Sequence, residues 1–293
     1  MRIGNLAGVP VLLSEAGAFD LAAASDGAYR DAQAILDDWD GFRTWIDGRS
    51  PSWEPYDAEL LEAPVPRPGQ VFGVGLNYAG HLAEGGHDTT HRSLPQGFTK
   101  FPSCVTGPYG QVELRGDTVD YEVELVAVVG RHADNVPAAH ALEHVAGYLV
   151  GQDISDRAVQ GSGQLSLAKS FRTYAPTGPW LVTSDEIPDP QALRLRCRLN
   201  DELVQDGTTA DMVFGVAELV ALLSAVTPLR PGDLVFTGTP AGVGVFRDPP
   251  VFLRAGDVVH TEIPGIGSLR NVCVTAPDPA DDLGRMWRDL TLR

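Results

Sequence analysis

Tyr121-Glu122-Val123-Glu124-Leu125-Val126-Ala127-Val128-Val129-Gly130 decides how this chain is read. Its dense β-branched and apolar content spells a strand rather than a helix. Side chains alternate across a strand, so Glu122 and Glu124 share one face with Val126 and Val128 behind them. Tyr121, Val123, Leu125, Ala127 and Val129 cover the other face. Two neighbouring carboxylates on a half-buried strand repel each other, and desolvation sharpens the repulsion. One of them keeps a proton, a cation sits between them, or a nearby Arg or Lys pairs with them at the rim. A third carboxylate, Asp153, ends the apolar run Gly147-Tyr148-Leu149-Val150-Gly151-Gln152. Three clustered carboxylates form a hard oxygen site suited to Mg²⁺, Mn²⁺ or Ca²⁺.

The rest of the chain bounds the setting of that site. Its 293 residues, 43% of them hydrophobic, suffice for one large domain with a smaller one attached. A net charge of −17 argues against nucleic acid or an anionic membrane surface as a partner. An anionic substrate must then be met by a local cation. Cys104, Cys197 and Cys273 are too few and too scattered for a disulfide framework or a Cys-based zinc site. No stretch has the length of a membrane span, and the start carries no secretory h-region, so the expected compartment is cytoplasmic. The 32 Gly and 22 Pro favour a turn-rich β fold over a helix bundle.

Element signals follow the same picture. Pro10–Leu13 reads as a strand and residues 28–45 as one helix, with Ala32, Ile35, Leu36 and Trp39 at helical spacing. The Pro-rich stretch 63–69 marks a boundary, giving a small N-terminal α/β module at 1–64 and a main domain at 65–293. Residues 71–75 open that domain as a strand. Residues 140–145 read as a short helix, followed by a strand at 148–150. Further strands are expected at 180–183, 193–199, 234–237, 258–263 and 271–274, with a helix at 217–225. Two similar turns, Arg230-Pro231-Gly232-Asp233 and Arg254-Ala255-Gly256-Asp257, each precede a strand.

Several motifs carry chemistry. If residues 78–84 are helical, His81 and Glu84 share a face, and the carboxylate fixes and strengthens the imidazole as a base; a plain surface pair is the alternative. Arg157 and Gln160 stand one helical turn apart, just after Asp153, and both can donate to an oxyanion. Lys169 is either a salt-bridge partner of the acidic residues or a charge stabiliser at the reaction centre. Gly238-Thr239-Pro240-Ala241-Gly242 can cradle a carboxylate or be only a tight turn. It lacks the Lys-Ser/Thr ending of a phosphate loop, and Gly73 and Gly75 do not complete a dinucleotide fingerprint. The pairs His87/His91 and His140/His144 have no third ligand and read as a loop and a helix surface. Residues 212–214 read as packing.

GLNYAGHLAE at 75–84, DYEVEL at 120–125, GYLVGQDISDR at 147–157, Lys169 before Ser170-Phe171, APTGPWLVT at 175–183, VQDGTTADMVF at 204–214 and TGTPAGVG at 237–244 occur in one order. The ordered set resembles the fumarylacetoacetate hydrolase family over about 71–274. The resemblance implies an α+β, mostly β chain: a mixed β-sandwich with a rolled sheet, assembled as a homodimer. It implies Mg²⁺ or Mn²⁺ on Glu122, Glu124 and Asp153, with Ca²⁺ an alternative. It further implies His81 and Glu84 as the water-activating pair and Lys169, Arg157 and Gln160 as oxyanion and substrate groups. Thr239 would contact the substrate carboxylate. The expected activity is hydrolysis of a C–C bond in a 1,3-dicarbonyl (acylpyruvate or diketo) acid, with the enolate stabilised by the metal. Isomerisation, tautomerisation or decarboxylation of a related 2-oxo acid is the alternative, and a scaffold with a structural cation is a third. The chain departs from the family at Gly80 and at Arg172, where Asp is common. Arg172 either meets a second substrate carboxylate or alters a lid.

Overall fold

The computed structural model describes residues 1–88, 94–280 and 284–286. His91 of the His87/His91 pair lies outside the described residues. The chain forms a mixed β-sandwich whose larger sheet is rolled, with short helices at its edges. The order of the larger sheet is Gly17–Asp20, Val9–Ser14, Arg2–Leu6, Ala175–Thr183, Val145–Gln152, Val123–Val129, Leu234–Phe236, Val71–Gly75 and Gln96–Thr99. Neighbours run antiparallel except Leu234–Phe236 beside Val71–Gly75, which is parallel. The smaller sheet contains Glu202–Thr208, Arg194–Leu199, Val258–Ile263, Gly267–Thr275 and Val112–Leu114. The two sheets pack over the central strands of the larger one.

That packing corrects one expectation about the acidic strand. Every residue of Val123–Val129 and of Val145–Gln152 is buried, so both faces of these strands are covered. Glu122 and Glu124 therefore stand in a far drier setting than a half-buried strand provides. The smaller sheet shows the ordinary alternation, with Val259, Thr261 and Ile263 buried and their neighbours half-buried.

The start of the chain joins the same architecture. Arg2–Leu6 pairs with Ala175–Thr183, and the Leu61–Glu62 strand pairs with Arg2–Leu6. The helix expected over 28–45 is two helices, Ala32–Asp37 and Trp39–Asp47. Asp38 breaks it with φ −120° and ψ 47°, its carboxylate taking the Tyr29 hydroxyl at 3.0 Å. Helical spacing persists across the break because Ile35, Leu36, Trp39 and Phe42 all turn into one core. The helix expected at 140–145 falls at Ala138–Ala141, continued by a 3₁₀ turn at Leu142–His144. The two Arg-to-Asp turns are built alike: Asp233 accepts the Arg230 N–H and Asp257 the Arg254 N–H, each at 2.8 Å. Gly232 and Gly256 supply the positive φ that closes each turn.

Candidate active site

The antiparallel ladder of the central strands ends at Glu122, and side-chain amides take over from the backbone there. Gln152 Oε1 accepts the Glu122 N–H and Gln205 Oε1 accepts the Val123 N–H, each at 2.9 Å. The chain then turns so that the Asp153 N–H meets the Glu122 carbonyl at 2.9 Å. This brings Glu122, Glu124 and Asp153 together, each offering a carboxylate oxygen within 4.8 Å of the others. All three are buried, with Asp153 fully so.

Their charges are not equivalent. Burial works to raise the Glu122 pKa, but Lys169 and Arg157 outweigh it and hold the carboxyl down at about 2. Glu124 is pushed well above the usual range by burial, then by the charges of Asp153 and Glu122. Burial and like charge thus favour the protonated form of Glu124, while Lys169 and Arg157 favour the ionised form of Glu122. A hard divalent cation fits this donor set: three buried oxygens face one point, and their mutual repulsion is what such an ion would relieve.

Lys169 lies inside the cluster. Its ammonium is 2.9 Å from Glu122 Oε2, 2.6 Å from Asp153 Oδ2 and 2.8 Å from Ser155 Oγ. Burial works to lower its pKa, but Asp153 and Glu122 more than offset that and keep it charged. Arg157 is held at the start of the Arg157–Gly161 helix, which Asp156 caps by accepting from Ala158 N and Val159 N. Its guanidinium reaches Asp120 Oδ2 and Glu122 Oε1 at 2.7 Å and donates to Gln160 Oε1 at 2.9 Å. The Gln160 amide NH₂ is thus left to donate.

On the opposite wall, Ala79–Glu84 is a helix and His81 Nδ1 lies 2.7 Å from Glu84 Oε1. Buried Asn77 orients the entry to that helix: it donates to the carbonyls of Phe214 at 3.0 Å and Thr237 at 2.7 Å and accepts the Phe214 N–H at 2.9 Å. The Gly238 turn lies against the same strand ends. Gly238 has φ +98°, and a Cβ there would stand 2.8 Å from the Asn77 side chain, so glycine alone suits it. Its N–H donates to Glu124 Oε2 at 2.7 Å. Thr239 donates its hydroxyl to the Val123 carbonyl at 2.9 Å and accepts from Gln205 at 2.8 Å.

One cavity joins these parts. His81, Glu122, Glu124, Arg157, Gln160, Lys169 and Thr239 line it, together with Gln96, Phe98, Leu165 and the 74–76 turn. Its free volume is about 40 Å³, which suits a compact ligand. Arg172 is elsewhere: it pairs with Glu113 and lines a separate cavity with Arg115 and Phe171. Two residues that sequence reasoning passed over hold the cluster from behind. Lys100 is buried and donates to Asp153 Oδ1 at 2.5 Å, to the Tyr174 carbonyl at 3.1 Å and to the Lys169 carbonyl. Asp120 is fully buried and accepts the N–H groups of Tyr121 and Gly244, each at 2.8 Å, and of Val245 at 3.0 Å, besides Arg157. Lys100 carried no sequence signal beyond a Lys before Phe-Pro; Asp120 stood at the head of the acidic motif.

The fumarylacetoacetate hydrolase C-terminal family model matches residues 70–274. The chain belongs to the fumarylacetoacetate hydrolase family. Among its relatives, the human protein named oxaloacetate tautomerase FAHD2A, mitochondrial, is 44% identical over 217 residues, covering 72% of this chain and 68% of that one. A fumarylacetoacetate hydrolase from Exiguobacterium antarcticum superimposes with a TM-score of 0.80 at 30% identity, over 94% of this chain and all of that one. Maleylpyruvate hydrolase from Sphingobium sp. SYK-6, solved with manganese(II) and pyruvate, gives 0.76 at 26% identity over the same shares. Members of the family are thus tautomerases and hydrolases, and one binds Mn²⁺. Among the described residues no helix is long and apolar enough to cross a membrane.

Proposed function

We propose that this chain catalyses keto–enol proton transfer in a small 2-oxo dicarboxylic acid of the oxaloacetate type. The observation that carries this reading is that His81, backed by Glu84, and the Lys169 ammonium line one small cavity with Glu122 and Glu124, whose carboxylates cluster with that of Asp153. Glu122, Glu124 and Asp153 would hold Mg²⁺ or Mn²⁺, which when bound supplies Lewis-acid polarisation of the substrate oxygens.

The chain's own groups divide the work. With Nδ1–H donated to Glu84, His81 carries its lone pair on Nε2 and acts there as the base. It removes the enol O–H proton, and the imidazolium so formed returns a proton to the adjacent carbon as the keto form appears. Between the two protonation states the substrate bears a negative oxygen, which the Lys169 ammonium and the Gln160 NH₂ stabilise. Arg157 keeps Glu122 ionised and in place. Thr239, with its hydroxyl turned to the backbone, shapes the floor and meets a substrate carboxylate only after that bond is exchanged.

Two comparisons weigh on the choice. The 44% identity to a tautomerase favours proton transfer. The likeness to maleylpyruvate hydrolase supports a second reading, in which His81 and Glu84 deprotonate water for C–C cleavage of an acylpyruvate. We keep the cytoplasmic homodimer as part of the proposal, to be tested by fractionation and by mass in solution. The functional test is loss of enol absorbance from oxaloacetate, with Mn²⁺ and with EDTA. Faster loss with Mn²⁺ supports the reading, and an unchanged rate rules it out.

A further inference from the structure

The three clustered carboxylates share an arrangement that their pairing makes plain. Each has one oxygen taken by a donor from the surrounding protein: Glu122 Oε1 by Arg157 at 2.7 Å, Glu124 Oε2 by the Gly238 N–H at 2.7 Å, and Asp153 Oδ1 by Lys100 at 2.5 Å. One oxygen of each remains: Glu122 Oε2, Glu124 Oε1 and Asp153 Oδ2. Lys169 contacts two of these, Glu122 Oε2 and Asp153 Oδ2.

The two lysines differ in what they can give up. Lys169 lines the cavity. Lys100 does not line it and its side chain is fully buried. Its three N–H donors are matched by three acceptors, Asp153 Oδ1 and the carbonyls of Lys169 and Tyr174. Withdrawing it would strand a buried ammonium and leave those acceptors without their donor. Asp153 Oδ1 is therefore held by Lys100, which leaves Oδ2 as the Asp153 oxygen not tied to it.

We propose that Lys100 is a positioning residue that sets the metal preference of this site, by holding Asp153 to single-oxygen ligation. The inference rests on the cation site of the proposed function. Ca²⁺ takes six to eight oxygens and draws on two-oxygen carboxylates, whereas Mg²⁺ accepts six ligands in a tight shell and keeps several waters. A cluster limited to one oxygen per carboxylate favours the smaller ion. Without Lys100, Asp153 is free to present both oxygens and the larger ion gains.

The test is calorimetric titration of metal-stripped protein with Mg²⁺ and separately with Ca²⁺, on the wild-type chain and on Lys100→Met, with circular dichroism to follow the fold. The wild type is expected to bind Mg²⁺ at least as tightly as Ca²⁺. Lys100→Met is expected to shift the ratio of the two dissociation constants toward Ca²⁺ by roughly tenfold, given these coordination preferences. Removing a positive charge alone would tighten both ions alike, so an unchanged ratio overturns the assignment. Should Lys100→Met not fold, the wild-type order decides, and Ca²⁺ bound more tightly than Mg²⁺ overturns it as well. Binding of neither ion would overturn this inference together with the metal reading, whereas Ca²⁺ preference overturns this inference alone.

Discussion

Glu84 holds His81 and the Gly238 turn at once: Oε1 lies 2.7 Å from His81 Nδ1, and Oε2 accepts the Gly242 N–H at 2.8 Å. One carboxylate thereby fixes the imidazole and ties the helix that carries it to the loop that meets Glu124. Glu84→Gln keeps the size of the side chain but removes the charge that strengthens the base. The expected loss in kcat is about 10²–10⁴, the usual range for a positioned general base. Steady-state rates over a pH series check it, and a loss of only a fewfold would detach this pair from the chemistry.

Glu124 and Glu122 make opposite demands on pH. The raised pKa of Glu124 means that its contribution to stability is present below its unfolded value and is lost as pH rises through its folded value. Glu122, held at about 2 against an ordinary 4.5, contributes above 4.5, and this is lost as pH falls toward 2. In EDTA the melting temperature is therefore expected to fall on both sides. Glu124→Gln should remove the alkaline-side fall while abolishing divalent-cation binding. Thermal melts across pH decide this, and a Glu124→Gln protein with the wild-type alkaline slope would show that Glu124 holds no proton.

Lys169 is the ammonium assigned to the substrate's negative oxygen. Lys169→Met is expected to lower kcat by about 10²–10³, as loss of one oxyanion donor does elsewhere. Single-turnover rates separate this from weaker binding. An effect confined to KM would make Lys169 a binding group only.

Much of this was legible in the sequence, for physical reasons. The period of two placed Glu122 and Glu124 together, and the period near four placed His81 over Glu84. What escaped was whatever depends on distant packing. The helix over 28–45 breaks at Asp38, whose carboxylate takes the Tyr29 hydroxyl, a contact that no local pattern announces. The acidic strand is covered on both faces because the second sheet lies across it. Lys100 is 53 residues from Asp153 in the chain, and a lone Lys there reads as solvated surface. Arg172 looked close to Lys169 in sequence, yet the chain turns at Thr173, with φ +72°, and the guanidinium faces Glu113 instead.

That placement of Arg172 has its own consequence. Arg172→Ala should leave kcat/KM for 2-oxo acids within about twofold and cost under about 1 kcal/mol, since the Arg172 side chain is largely exposed. A changed substrate preference would restore it as a second carboxylate site.

Asp120 should behave in the opposite way. Asp120→Ala takes one of the two carboxylates from the buried Arg157, which keeps Glu122, and leaves the N–H groups of Gly244 and Val245 without their acceptor. Breaking a buried pair from one side costs roughly 3–5 kcal/mol. Urea unfolding with the wild type as reference measures it, and a cost below about 1 kcal/mol would mean that water replaces the carboxylate freely.

Proton transfer without bond cleavage at the carboxylate cavity leaves an isotopic trace. Proton NMR in D₂O, with Mn²⁺ removed before recording, follows oxaloacetate and an acylpyruvate with the wild type and with Glu122→Ala. Deuterium is expected to enter the carbon next to the keto group of oxaloacetate, faster than without protein, dependent on added Mn²⁺ and with no such enhancement in the variant, while the acylpyruvate stays intact. Pyruvate and a second acid appearing from the acylpyruvate, with no enhanced exchange in oxaloacetate, would contradict it and make the protein a hydrolase.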